Sequence, residues 1–413
     1  KYFFPMESSE PSSLDRRKFS SSRLRLVERA FVWMLRELRY GRLQIIFPSG
    51  ACELVGEYDE PVVELRIKDD RFFKAVIAGG SVGFGEAYVS DYWDTSNLSK
   101  LLLLLAKNQR DIGNLRRGFS LITKFINRFH HNARRNTIEH SKANVQAHYD
   151  LSNEFYKTFL DQTMTYSSAL FSEHCESLEQ AQINKIERML DLACVGEGDS
   201  ILEIGSGWGA LALRAAKRGC RVRTITLSEK QYAFSKALFE YERVDDKVEI
   251  VLEDYRIQEG QYDAVLSCEM IEAVGREYLD SYFRIISRSL RSKGRAVIQA
   301  ITIPDDRYNS YSRSCDWIQK HIFPGGHLPS PTAIYKHVAN AGGTQVLSMH
   351  RFGSDYARTL RYWAQAFNRK ESLVESLGFD ASFRRKWNYY LSYCEAGFDA
   401  GLIDVQHVEI LKS

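Results

Sequence analysis

At 413 residues the chain is longer than one domain usually holds, so two domains are expected. Its composition, 44% hydrophobic and 26% charged, is that of an ordinary globular protein, and a net charge of +3 is too small for a nucleic-acid reader, so any basic surface has to be local. Seven cysteines (Cys52, Cys175, Cys194, Cys220, Cys268, Cys315 and Cys394) form neither a C-x-x-C pair nor a His/Cys group at zinc spacing, which points to a reducing compartment and no structural metal.

Residues 1–22, Ser-rich and charged, are expected to be a disordered leader, with no secretory signal. From Leu24 to Tyr40 the apolar residues recur at helical spacing, and Gly41 supplies a C-cap. Three short strands follow in RLQIIFPSG, CELVGEYDE and PVVELRIKDD, divided by Pro, Gly and Asp turns. A glycine-punctuated helical stretch, RFFKAVIAGGSVGFGEAYVSDYWD, and the run LSKLLLLLAKN close a segment, 23–108, that reads as a small α+β unit with its own core. LLLLLA is far shorter than the roughly 20 apolar residues a spanning helix needs, so membrane contact is expected to be peripheral.

Over 109–137 the chain turns basic, with Arg110, Arg116, Arg117, Lys124, Arg128, Arg134 and Arg135 against Asp111 alone. Phe119, Leu121, Ile122, Phe125, Ile126 and Phe129 interleave at helical spacing. Two readings fit: a linker helix packing one face on its own protein, or a basic amphipathic surface resting on anionic headgroups.

From residue 138 the pattern is alternating β/α. Strands in SILEIGSG, RVRTITLS, KVEIVLEDY, YDAVLSCEM and GRAVIQAITI are separated by helices such as WGALALRAAKRG and EKQYAFSKALFEYERV. Alternation of this kind implies a doubly wound, Rossmann-like parallel sheet with ligands at the strands' carboxyl ends. The glycines of LEIGSGWG are spaced G-x-G-x-G, not as in a dinucleotide site, and no acid ends the following strand. A glycine turn alone is weak evidence. Glu203 before it, Thr226 and Ser228 after the second strand, and Glu-Asp-Tyr after the third make a stronger set, which resembles the S-adenosylmethionine (SAM) site of class I methyltransferases.

The stretch SCEMIEAVG puts Glu269 and Glu272 three residues apart just past a strand end, where they serve either a helix start or a site. HYDLSNEFYKTFLDQTMTYSSALF, LEIGSGWG, ITLSEKQ, EDYR, CEMIEAVG and IFPGGHLPS occur in the order of the cyclopropane-fatty-acyl-phospholipid synthase family. GRLQIIFPSG and the glycine-punctuated stretch resemble that family's small lipid-carrier-like domain, so the likeness spans the chain from about residue 25. The resemblance implies a SAM methyltransferase domain over 138–413, preceded by the α+β domain and the basic linker. It also implies transfer of a one-carbon unit to a cis double bond of a phospholipid acyl chain, forming a cyclopropane. A peripheral place on the cytoplasmic face of the membrane and a possible homodimer are further implications, with no nucleic-acid partner.

Carried over by position, Tyr166 and Ser167 meet the donor's amino-acid end, and Gly205 and Gly207 lie beneath it with Glu203 nearby. Thr226 and Gln231 hold the ribose, Leu227 joins them, and Asp254 and Tyr255 lie at the adenine. The resemblance supplies a bound bicarbonate as the base that takes a proton from the transferred carbon. Its ligands map onto Ser168, Glu272, Gln299, Ile301 and Tyr356, with Glu272 orienting the base and Glu269 serving the helix start. This chain departs from the pattern at Ser168 and Gln299, where common members have Cys and His. Neither replacement carries a positive charge, so a methyl-branched or methylene product, or a catalytically inactive lipid-binding relative, stand as alternatives. Aromatic candidates for cation stabilisation are Tyr149, Tyr166, Trp208, Tyr308, Tyr311 and Tyr356. His327, in a turn, is expected to face solvent, and Cys268 to pack rather than react.

Overall fold

The computed structural model describes residues 24–36, 38–57, 61–109, 151–173 and 177–413. The leader, the basic segment from Arg110 onward and Tyr149 lie outside the described residues.

Five strands follow the sequence reading: β5 (Ser200–Ile204), β6 (Arg221–Thr226), β7 (Val248–Leu252), β8 (Tyr262–Cys268) and β9 (Leu290–Thr302). All neighbours among them pair parallel, and β5 after its first residue and the middle of β8 are buried, as strands covered by helices on both faces must be. The covering helices show why they form. In Leu279–Ser289 the buried residues Leu279, Tyr282, Phe283 and Ile286 follow one helical face. At Pro331–Ala341 the Ser330 hydroxyl accepts the Ala333 N–H at 3.2 Å, with proline at the first position.

Two further strands, absent from the sequence reading, complete the sheet: β10 (Thr344–Arg351) and β11 (Asp404–Lys412). The order is β10-β11-β9-β8-β5-β6-β7, with β11 antiparallel to both neighbours. The chain winds outward from β5 through β6 to β7, then returns to place β8 on the other side of β5. The switch point of this doubly wound α/β sheet therefore lies between β5 and β8. The glycine turn after β5 and the acidic turn after β8 meet at that edge.

The N-terminal unit is α+β, as expected. Strands β1 (Arg42–Ile46), β2 (Cys52–Val55), β3 (Val62–Ile67) and β4 (Trp93–Asp94) form a sheet of order β2-β1-β3-β4, joined by helices Leu26–Met34, Arg71–Val89 and Leu98–Lys107. The first helix stops six residues short of Tyr40, and the 71–94 stretch gives its last two residues to the sheet. Its helix is interrupted at Gly80 (φ 59°, ψ −131°).

This unit does not stand apart from the rest. Leu43, Phe72, Trp93 and Leu101 belong to one continuous apolar cluster with Phe155, Trp363 and Tyr389. At Gly85 the approach is so close that a Cβ would lie 2.6 Å from Trp317 and 2.7 Å from Tyr389. The Arg385 guanidinium donates to the carbonyls of Tyr88 (2.6 Å) and Trp93 (2.8 Å), and Ser99 donates to Glu395 at 2.6 Å.

Candidate active site

The turn after β5 runs through Gly205 (φ 92°) and Gly207 (φ 50°), backbone that glycine adopts without strain. A Cβ on Gly207 would meet nothing within 4 Å, so the turn floors an open cavity of about 180 Å³. Tyr166, Ser167, Glu203, Gly205, Gly207, Thr226, Leu227, Gln231 and Tyr255 all line it. Asp254 is the predicted member the structure does not bring to this wall. Its carboxylate caps the turn Tyr255–Ile257 and is held by Arg256 at 2.6 and 2.8 Å. Glu253, one residue earlier, faces the cavity instead.

These residues fit SAM. The Thr226 hydroxyl donates to Gln231 Oε1 at 2.9 Å, leaving the Gln231 NH₂ group to donate to a diol without adding charge beside a sulfonium. Glu203 is buried and its Oε2 has no hydrogen-bond partner among the described residues. Burial pushes its carboxyl up to about 8, against smaller opposing pulls from Thr224 and the Lys185 ammonium. Such an orphaned carboxylate suits the donor's α-amino cation. Lys185, which the sequence reading missed, is itself buried and donates to the Ser167 hydroxyl at 2.7 Å. Its neighbour Cys268 is a half-buried thiol whose pKa desolvation raises, as a packing residue should be.

A second cavity, of about 510 Å³ and mostly apolar, lies against the first. Leu35, Leu43, Leu65, Phe84 and Leu102 of the N-terminal unit form part of its wall, and Ile301, Ile303, Leu360 and Phe398 another part. Among the described residues only three, Tyr166, Glu269 and Ala273, line both cavities.

At this junction the two carboxylates part company. Glu269 was expected to serve a helix start, but the 3₁₀ turn Ile271–Ala273 is capped at Met270 with no side-chain bond. Glu269 instead takes a left-handed backbone (φ 49°) and turns its side chain inward. Its Oε1 accepts from the Ser168 N–H (2.8 Å) and the Gln299 amide (2.7 Å), and its Oε2 from the Tyr356 hydroxyl (2.6 Å). Glu272 Oε1 accepts the Ile301 N–H at 2.5 Å, while Oε2 has no partner among the described residues.

Burial raises both carboxyls, and Glu269 raises Glu272 further. Two like charges so close titrate as a pair. With three donors against one, Glu269 is the better place for the anion, and Glu272 holds the proton at neutral pH.

Behind Glu269 stands a residue the sequence reading did not single out. The carboxylate only accepts, so Gln299 must donate through its amide nitrogen and turn its oxygen to His407 Nε2, 2.9 Å away. Burial keeps His407 neutral. The Ser168 hydroxyl points away, to the Ala169 carbonyl, so Ser168 acts through its backbone N–H.

The expected bicarbonate does not fit this arrangement. The donors of Ser168, Gln299, Ile301 and Tyr356 are all engaged by the protein's own carboxylates. A further anion would meet the charge of Glu269, to which Ser168, Gln299 and Tyr356 already donate.

His327 is buried rather than solvent-facing: its backbone N–H donates to the Glu272 carbonyl at 2.8 Å and the residue lies on the apolar cavity wall. Tyr311 and Tyr356 also line that cavity, Trp208 lines the donor cavity, and Tyr308 packs edge-on to His327. Among the described residues no group of three or more His, Cys, Asp and Glu is placed to hold a metal ion.

Comparison with known proteins places the chain in a family. The family model described as mycolic acid cyclopropane synthetase matches residues 136–408. A tuberculostearic acid methyltransferase of Mycobacterium tuberculosis is 35% identical over 377 residues, 90% of this chain and 88% of the relative. The cyclopropane-fatty-acyl-phospholipid synthase of Escherichia coli is 30% identical over 356 residues, 84% of this chain and 87% of the relative. Among solved structures, a mycolic acid cyclopropane synthase complexed with SAH and CTAB aligns with a TM-score of 0.62 at 31% identity, covering 66% of this chain and 98% of that one.

Proposed function

The chain belongs to the mycolic acid cyclopropane synthetase family and is a SAM-dependent methyltransferase of the cyclopropane synthase type; from this premise we propose that it adds a one-carbon unit to the cis double bond of an unsaturated acyl chain in a membrane phospholipid. The observation that carries the reading is the meeting of a polar donor cavity and an apolar cavity at Tyr166, Glu269 and Ala273.

Bound in the polar cavity, SAM supplies an electrophilic methyl on a sulfonium. An alkene is a weak nucleophile, so the apolar walls must hold it in line with that methyl. As the π pair forms the new C–C bond and the C–S bond breaks, a carbocation is left on the acyl chain. The π faces of Tyr166 and Tyr356 and the negative potential of Glu269 meet it in a mostly apolar cavity. A proton then leaves the transferred carbon, and the freed C–H pair closes the cyclopropane ring.

A second reading has its own support in the likeness to a tuberculostearic acid methyltransferase and in the neutral Gln299. If a hydride shifts between the two former alkene carbons before the proton leaves, the same pair forms the π bond of a methylene branch. A saturated methyl branch needs a reductant besides.

No helix among the described residues is long and apolar enough to cross a membrane. The acyl chain would thus have to enter the cavity from a bilayer surface. Arg110 to Arg135 would dock on anionic headgroups at the cytoplasmic face, and pairing into a homodimer would add avidity. The test is incubation with labelled SAM and vesicles of monounsaturated phospholipid, followed by mass spectrometry of the acyl chains. Absence of label from the lipid would end this reading. Fragmentation or NMR separates ring from methylene, which are isomers.

A further inference from the structure

We propose that Glu269 is the general base of the reaction, a built-in carboxylate that removes the proton from the transferred carbon with no added anion. The inference rests on the proposed one-carbon transfer and names the group that completes it.

Position comes first. Of the three described residues common to both cavities, Tyr166 and Ala273 offer no carboxylate, so among the described residues Glu269 is the one anion at the point where donor and acyl chain meet. Glu272 lines only the apolar cavity, and Tyr356 already donates its proton to Glu269.

The lone pairs agree. A carboxylate has about four acceptor positions. Ser168 and Gln299 occupy two on Oε1 and Tyr356 one on Oε2, which leaves one Oε2 position for an incoming proton. The three bonds also fix the carboxylate's orientation, as a base acting on a single C–H requires.

The backbone gives independent support. Glu269 sits at φ 49°, a left-handed conformation that glycine adopts freely and a side chain does not. The three hydrogen bonds to its carboxylate help hold the residue in that conformation.

The step balances simply. The C–S bond breaks as the C–C bond forms, leaving a neutral thioether and a carbocation. Glu269 Oε2 then takes H⁺ from the transferred carbon, and the C–H electron pair becomes the third ring bond, or the methylene π bond after a hydride shift. The proton is shed to solvent before the next turnover.

The experiment uses the full chain, labelled SAM and monounsaturated phospholipid vesicles, in buffer stripped of carbon dioxide and then with bicarbonate restored. Wild type should turn over equally in both. Glu269→Gln should lose about 10²–10⁴-fold in turnover while SAH affinity stays within about threefold. Glu269→Gly, which relieves the backbone and leaves the three donors facing a void, should regain turnover saturably with added bicarbonate or formate. Bicarbonate-dependent wild type, an active Glu269→Gln, or an SAH-binding Glu269→Gly that no small anion rescues would each overturn the assignment. Wild type that puts no label into lipid would instead refute the one-carbon transfer itself, and this inference with it.

Discussion

Replacing Glu203 with glutamine tests the donor site through its charge. In the folded protein burial holds this carboxyl at about 8, against an ordinary value of 4.5. A raised carboxyl contributes its full stability below pH 4.5 and loses it as pH climbs through 8. Between those limits the loss is about 1.4 kcal/mol per pH unit, or roughly 3 kcal/mol by pH 7. Glutamine carries no charge and escapes this loss, at a cost of about 1–2 kcal/mol for a buried amide with incomplete partners. Urea unfolding from pH 5 to 9 should therefore show Glu203→Gln slightly less stable at pH 5, level near pH 6 and progressively more stable above it. Ligand binding supplies a second reading of the same group. The α-amino cation of SAH favours ionised Glu203, so at pH 7 binding should release close to one proton, measurable by calorimetry in buffers of different ionisation enthalpy. Glu203→Gln should release none and bind at least about tenfold more weakly. Parallel stability curves and no difference in proton release would refute the reasoning.

Glu272→Gln keeps an acceptor for the Ile301 N–H and removes no charge if Glu272 is protonated; turnover should fall by no more than about tenfold. A loss equal to that of Glu269→Gln would move the anion to Glu272. Gly85→Ala drives a Cβ against Trp317 and Tyr389, so unfolding should show about 1–3 kcal/mol of destabilisation, and an unchanged midpoint would mean the N-terminal unit is not clamped there. Leu102→Phe narrows the half of the apolar cavity built by that unit. Each methylene it excludes should lower kcat/KM about fourfold for long chains relative to short ones. An unchanged chain-length preference would place the acyl chain entirely in the other half.

The sequence made the donor site legible because its signals are local. A glycine turn, a hydroxyl and an amide near two strand ends reach the same cavity wherever the strands sit in a parallel sheet. Asp254 failed for an equally local reason: Arg256, two residues on, captures its carboxylate and leaves Glu253 on the wall. His327 was misplaced because solvent exposure of a turn is only a tendency, and here the turn folds under the Glu272 carbonyl. Strands β10 and β11 lie beyond the β/α repeat, with the helices Gly353–Arg369 and Ala381–Asp399 between them, so no short-range pattern joins them. Lys185 looked like any polar residue of an amphipathic helix, and only tertiary packing buries it beside Ser167 and Cys268.

The departures at 168 and 299 become intelligible once Glu269 is in place. A site that recruits a bicarbonate gains from strong donors, a cationic imidazole above all, because they must hold a mobile anion. A site that carries its own carboxylate has the opposite requirement. Every strong donor lowers that carboxylate's basicity, and the buried Lys185 already pulls it down. A neutral amide at Gln299 orients Glu269 without adding charge, and His407 stands one bond further back, neutral and fixing the amide's direction. Ser168 is similarly indifferent in its side chain, since only its N–H reaches the carboxylate. On this view the departures at Ser168 and Gln299 form a single coordinated change suited to Glu269. Gln299→His in the wild-type chain should therefore slow turnover rather than improve it, by placing a stronger donor against the base. Combined with Glu269→Gly the same substitution should strengthen the response to added bicarbonate, and bicarbonate titrations of the single and double variants, read as lipid label per minute, decide the matter. If Gln299→His accelerates the wild-type background, the basicity argument fails.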